Sequence, residues 1–136
     1  MLVDQSGIPL ALVIDGANRH DVKLLDETLT RMVVEPGLTT PQPNLCADAG
    51  YRGIEARQHI EDHGYIPHIR SRGEEKQDVE QGKHPRRWVV EVLFSWLNRF
   101  RKVLIRFEKK AQNYLGLLQC ACALIVWRRL IDVHAH

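Results

Sequence analysis

Cysteine is scarce in this chain: three residues, Cys46, Cys120 and Cys122, an odd number with no framework spacing. That excludes a disulfide-stapled secreted scaffold and points to free thiols in a reducing cytoplasm, with Cys120 and Cys122 expected to be buried in an apolar run. A secretory leader is not expected, because Met1-Leu2-Val3-Asp4 lacks a basic region and a long apolar stretch. The best hydrophobic run, Leu115 to Trp127, is interrupted by Gln119. It falls short of the roughly 20 residues that span a bilayer, so it reads as a buried helix and not an anchor. Net charge is also small, +2 over 136 residues, and 44% hydrophobic with 26% charged residues is ordinary for one soluble globular domain.

The small net charge hides an uneven distribution. Residues 1–82 carry eight basic and fourteen acidic side chains, Lys83 to Lys110 carry nine and two, and residues 111–136 carry two and one. A concentrated cationic segment is the electrostatic footprint of a phosphate backbone. Its two acidic residues are Glu91 and Glu108. A carboxylate inside such a segment repels DNA unless a cation stands between them, which makes Glu91 a candidate ligand of a divalent metal beside nucleic acid.

The pattern along the chain alternates strands and helices. Met1 to Asp4 and Ile8 to Ile14 read as two strands around the turn Gln5-Ser6-Gly7, and Asp21 is placed to cap a helix from Val22 to about Val33. Asn44 to Ala47 reads as a buried strand ending at Asp48, Ile54 to His63 as a helix closed by Gly64, and Tyr65 to Ile69 as a strand that Pro67 places at an edge. Residues 71–85 have almost nothing to bury and read as a charged loop. A helical pattern then runs from Arg86 to about Arg106, with an apolar stripe of Trp88, Val92, Trp96, Phe100 and Val103 or Leu104, and a further helix covers Ala111 to Ile131. The expected organisation is one α/β unit, residues 1–136: a sheet with two helices over 1–70, the loop 71–85, and C-terminal helices over 86–133.

On a continuous helix, Arg87, Glu91, Ser95 (or Phe94), Asn98 and Lys102 share one polar face. Arg87, one turn before Glu91, is placed to hold a phosphate oxygen or to orient the carboxylate. Asp48 is the second candidate, since the C-terminal ends of strands in α/β sheets open onto the ligand crevice. If the fold joined Asp48 and Glu91, the pair would suit phosphoryl transfer by Mg²⁺ or Mn²⁺, whose preferred ligands are oxygens. His59 and His63 have the i,i+4 spacing of a zinc pair, but no third ligand is near in sequence and surface histidines are the better reading.

Asp48-Ala49-Gly50-Tyr51, Arg87-x3-Glu91 and Trp96-Leu97-Asn98-Arg99, in that order, resemble bacterial insertion-sequence transposases of the DDE class, and Gly16 to Asp21 resembles the segment after their third strand. The resemblance runs from the opening hairpin to Arg129. It implies an RNase H-like mixed sheet flanked by helices that cleaves and rejoins DNA with two divalent metal ions. It further implies that Asp48 and Glu91 are the second and third acidic residues, and that Tyr51 and Arg87 contact DNA or support the site. Asn98, Arg99, Arg101, Lys102 and Arg106 complete the expected DNA-contacting set.

Two positions of the helix motif Tyr-x2-Arg-x3-Glu-x6-Lys differ here, with His84 in place of the tyrosine and Asn98 in place of the lysine. The first acidic residue of the class belongs to a strand upstream of the hairpin, so the chain is expected to be the C-terminal part of a transposase, inactive alone. Missing its central strand, it is expected to associate through open ladder edges or with an N-terminal part. The alternatives are a non-catalytic DNA-binding remnant, or a self-contained metal-dependent nuclease in which Asp4 or Asp15 completes the triad. The expected location is the cytoplasm, with DNA as partner and no membrane.

Overall fold

The computed structural model describes residues 1–16, 20–33, 41–69 and 88–134. Strands β1 (Leu2–Val3) and β2 (Pro9–Ala11) form an antiparallel hairpin. Helix α1 (Asp21–Thr30) follows, then β3 (Asn44–Ala47), a 3₁₀ turn (Ala49–Tyr51), helix α2 (Ile54–Asp62) and strand β4 (Ile66–Ile69). The C-terminal region holds α3 (Trp88–Leu97), the short α4 (Arg101–Leu104) and the long α5 (Ala111–His134). The architecture is mixed α/β, and the loop expected over 71–85 lies outside the described residues.

Asp4 makes the hairpin. Its Oδ1 accepts from the backbone N–H of Ser6 and Ile8, both at 2.8 Å, while Gly7 turns the chain at φ 81°, a conformation that costs a side-chain-bearing residue. The second strand is shorter than the expected Ile8 to Ile14. Beyond Ala11 the chain leaves the ladder, and Leu12 and Ile14 pack on the C-terminal helices instead. Helix α1 also differs: Asp21 is already helical, so His20 takes the N-cap position, and the helix stops at Thr30, short of Val33.

Strands β3 and β4 pair in parallel through the α2 crossover, with Asn44 opposite Ile66 and Ala47 opposite Ile69. A Schellman closure ends α2: Gly64 adopts φ 80°, and the Tyr65 N–H donates to the Ile60 carbonyl at 3.1 Å. The Ile66 N–H donates to the Pro43 carbonyl at 3.0 Å, so Ile66 and His68 turn their backbone groups toward β3. Pro67, which has no N–H to offer, therefore faces outward at an edge, as its sequence position predicts. By the same alternation the backbone groups of Asn44 and Cys46 point away from β4, to an edge that no strand occupies among the described residues.

Two apolar cores result. Leu25, Leu29, Leu45, Ala56, Ile60 and Ile69 close the first beneath the parallel strand pair. The Tyr65 hydroxyl at its rim donates to the Met32 sulfur at 3.1 Å, and burial raises its pKa. Leu93, Leu97, Val103, Leu118, Ala121, Cys122 and Ile125 close the second among α3, α4 and α5. Strand β1 joins them, because successive strand side chains point to opposite faces: Leu2 packs on the first core and Val3 on the second.

The expected continuous helix from Arg86 to Arg106 is two helices. After Leu97 the hydrogen bonds tighten, Arg99 N–H to the Trp96 carbonyl at 3.1 Å and Phe100 N–H to the Leu97 carbonyl at 2.9 Å. Phe100 then adopts extended backbone and caps α4 while its ring packs on the second core, so tertiary packing overrides the local period. The buried stripe of α3 is Val89, Leu93 and Leu97, with Trp96 half-buried beside it, and Leu104 is exposed.

Helix α5 also departs from expectation. Over Ala111–Asp132 it is long and apolar enough by length and composition to cross a membrane, and only 22% of that window is buried. Its packed stripe (Leu118, Ala121, Cys122 and Ile125) serves the second core, while Leu124, Trp127, Leu130 and Ile131 are exposed. Cys120 is exposed rather than buried, as is Cys46, whereas Cys122 is buried and its thiol pKa is raised by that burial. Alkylation of the native chain should therefore modify Cys46 and Cys120 quickly and Cys122 only on unfolding; a third fast thiol in mass spectrometry would contradict this packing.

Candidate active site and nucleic-acid interface

Asp48 follows β3 directly, exposed, at the N-cap of the 3₁₀ turn, where its Oδ1 accepts from the Ala49 N–H. The Tyr51 N–H donates to the Asp48 carbonyl at 2.9 Å, and the Tyr51 side chain is half-buried against the first core. Turn capping is thus one function of Asp48, and Tyr51 supports that turn from beneath.

Glu91 lies in the first turn of α3, exposed, with no hydrogen bond or ion pair among the described residues. Arg87 is outside the described residues. The two carboxylates stand on different lobes, Asp48 with the parallel strands and Glu91 with the C-terminal helices, and β1 packs between these lobes. No group of three or more His, Cys, Asp or Glu side chains capable of holding a metal ion occurs among the described residues. The two carboxylates are hard oxygen donors of the type Mg²⁺ takes, but they do not by themselves make a cage for it.

The expected single face from Arg87 through Glu91 to Lys102 is not continuous. α3 ends at Leu97, Asn98 is in the following turn, and Lys102 belongs to α4. Ser95 turns its hydroxyl back onto the Val92 carbonyl at 2.7 Å. What survives is a cationic run through that turn and α4: Arg99, Arg101, Lys102 and Arg106 are exposed, as are Lys109 and Lys110 beyond. Arg106 is the most constrained of them, its guanidinium 5.3 Å from the Tyr114 ring centroid and its Nε donating to the Glu108 carbonyl at 3.2 Å.

Asp4 and Asp15 are both otherwise engaged. The Asp4 carboxylate holds the hairpin turn, and Asp15, four residues past the end of β2, accepts from the Gly16 N–H at 2.7 Å. His59 and His63 are half-buried between α1 and α2 instead of lying on an open surface. The Nδ1 of His59 is 3.5 Å from Asp26, and the Nε2 of His63 is 3.9 Å from the same carboxylate. They serve the contact between helices.

The profile of the Transposase DDE domain family matches residues 1–126 of the chain. The chain belongs to that family. A protein of Burkholderia cepacia assigned as the transposase of insertion sequence element IS402 is 34% identical over 134 residues, which covers 96% of this chain and 62% of that protein. This transposase-family chain thus spans under two thirds of the length of that relative. No solved structure matches it. Two cations that the sequence pattern did not single out, Arg128 and Arg129, join the site region through α5, where Arg129 lies 4.6 Å from the centroid of the Trp96 ring. Lying 18 and 19 residues beyond Lys110, the end of the main basic run, they escape a reading by local charge density.

Proposed function

We propose that this chain is the C-terminal catalytic part of an insertion-sequence transposase that cleaves and joins DNA with divalent metal. In this reading Asp48 and Glu91 are the second and third carboxylates of an RNase H-like site. The observation that carries it is the placement of both carboxylates, exposed, at a strand end and on a helix of a chain in this family. The strand arrangement supports the same reading. Two separate two-stranded sheets, β1–β2 and β3–β4, leave the outer sides of β1 and β3 without strand partners among the described residues, as expected if a further strand belongs between them. That strand, supplied by an N-terminal part of the full transposase or by association with another copy, would bring the first carboxylate. With two of three donors, metal is held weakly and the chain alone performs little or no strand transfer.

Mg²⁺ or Mn²⁺, when bound, would activate the attacking oxygen and stabilise the leaving one. The chain's own part is to hold the DNA. Arg99, Arg101, Lys102 and Arg106, together with Asn98 and, by the family motif, Arg87, would contact the phosphate backbone, Tyr51 would brace the turn that carries Asp48, and the protein would act on DNA in the cytoplasm.

The test combines DNA binding and nicking in Mg²⁺ or Mn²⁺, with Glu91→Gln as control. Binding to duplex should weaken steeply with salt, with a log–log slope of about −4.5 if some five phosphates are neutralised. Binding without nicking would mean that the chain keeps the grip of a transposase without its chemistry. Nicking that Glu91→Gln abolishes would show a working carboxylate site in this chain alone. Nicking unchanged by Glu91→Gln, or no salt-sensitive binding, would overturn the assignment.

A further inference from the structure

A cavity of 380 Å³ opens where the end of α3 and the turn after it meet α5. It is a half-open depression whose apolar lining is Trp96, Phe100 and Ile125. Arg99 comes from the turn after α3; Arg128 and Arg129 come from the α5 face that also carries Ile125 and Asp132, at helical spacings of three, four and seven residues from Ile125. No salt bridge neutralises any of the three arginines among the described residues, and Asp132 is the single carboxylate at the rim. Three exposed guanidinium groups facing one carboxylate leave a net positive rim, which a bound anion would complement.

Arg129 is already organised. Its guanidinium carbon sits 4.6 Å from the centroid of the Trp96 ring, and Trp96 is itself wedged against the second core and close to the Gly7 turn. A guanidinium held over an indole is a ready platform for a base plane, since arginine stacks on bases much as aromatic rings do. A duplex phosphate requires only a cationic surface, which Arg101, Lys102 and their neighbours already provide. A depression that combines the Trp96 and Phe100 rings with three arginines offers a flat stacking surface as well as charge.

We propose that this cavity receives one unpaired nucleotide of a DNA strand, its phosphate held by Arg99 and Arg128 and its base lying against Arg129 over Trp96. The proposal rests on the DNA-acting reading above and adds to it a place, apart from Asp48 and Glu91, for a frayed or single-stranded end.

The test compares binding of the full chain to a short blunt duplex and to the same duplex bearing an unpaired overhang, with Arg128→Gln and Arg129→Gln as separate variants. Arg128→Gln alters an exposed side chain and keeps the comparison meaningful if Arg129→Gln disturbs packing. The unaltered chain should bind the overhang roughly ten-fold more tightly, the range that stacking of one base supplies. Arg129→Gln should reduce that advantage to less than about three-fold through lost stacking, and Arg128→Gln should reduce it through a lost phosphate contact, with the salt slope of overhang binding falling by about one; either variant should weaken overhang binding more than blunt-duplex binding. Equal affinity of the unaltered chain for both duplexes would overturn the proposal, as would an overhang advantage that survives in both variants. Competition for the overhang by inorganic phosphate as strong as by a deoxynucleotide would reduce the cavity to an anion hole and overturn it too. Failure of the blunt duplex to bind at low salt would instead remove the DNA-acting reading itself, so the two failures are told apart by the blunt arm.

Discussion

Replacing Leu93 with alanine should destabilise the chain by about 3 kcal/mol, enough to remove a large share of the 5–15 kcal/mol typical of a small domain. Leu93 has 0% exposure and sits mid-way along α3 in the core shared with α4 and α5. Its removal leaves a cavity where three helices meet, and a site enclosed from all sides relaxes poorly. The comparison is Leu104→Ala, in α4 at 56% exposure, for which a change within about 0.5 kcal/mol is expected. Urea unfolding followed by circular dichroism separates the two. Equal midpoints would mean that the C-terminal helices do not pack as described. Because β1 also packs on this core through Val3, loss of Leu93 should loosen the connection between the two lobes, and with it the relative placement of Glu91 and Asp48.

The second large effect concerns those carboxylates. Wherever metal-dependent cleavage is measured, in this chain or in a longer form that carries it, Asp48→Asn and Glu91→Gln should each lower the rate by roughly 10²–10⁴-fold, since a catalytic metal is worth several kcal/mol of transition-state stabilisation. The double variant should be little worse than either single one, because groups that act as a unit are not additive. DNA affinity should fall in neither, and removal of a carboxylate from a cationic surface should raise it slightly. Asp48→Asn keeps an acceptor oxygen for the Ala49 N–H, so the 3₁₀ turn should survive and a lost activity can be read as lost metal binding rather than lost structure.

Much of this organisation was legible from the sequence. The strand Asn44–Ala47, the helix from Ile54 closed by Gly64 and the edge strand with Pro67 follow from short-range patterns that the tertiary structure reinforces. The hairpin turn at Gln5-Ser6-Gly7 was readable for the same reason, being set by its own neighbours. The failures lie where distant packing decides. Nothing local announces that Phe100 turns out of the helix to reach the second core, so the expected face joining Glu91 to Asn98 and Lys102 was drawn on a helix that ends at Leu97. The period of α5 did not reveal how little of it is buried, because apolar residues occur on several of its faces. The cluster of Arg99, Arg128 and Arg129 required two helices to be placed side by side before it could be seen at all.

Mn²⁺ binding to the chain, followed by electron paramagnetic resonance in the unaltered protein and in Asp48→Asn and Glu91→Gln, tests most directly whether the two carboxylates share an ion. Weak binding that either substitution alone removes is the expected result, because each carboxylate would then be one of very few ligands to the same metal. Binding that both substitutions leave unchanged, or that depends on only one of the two residues, would contradict a shared site.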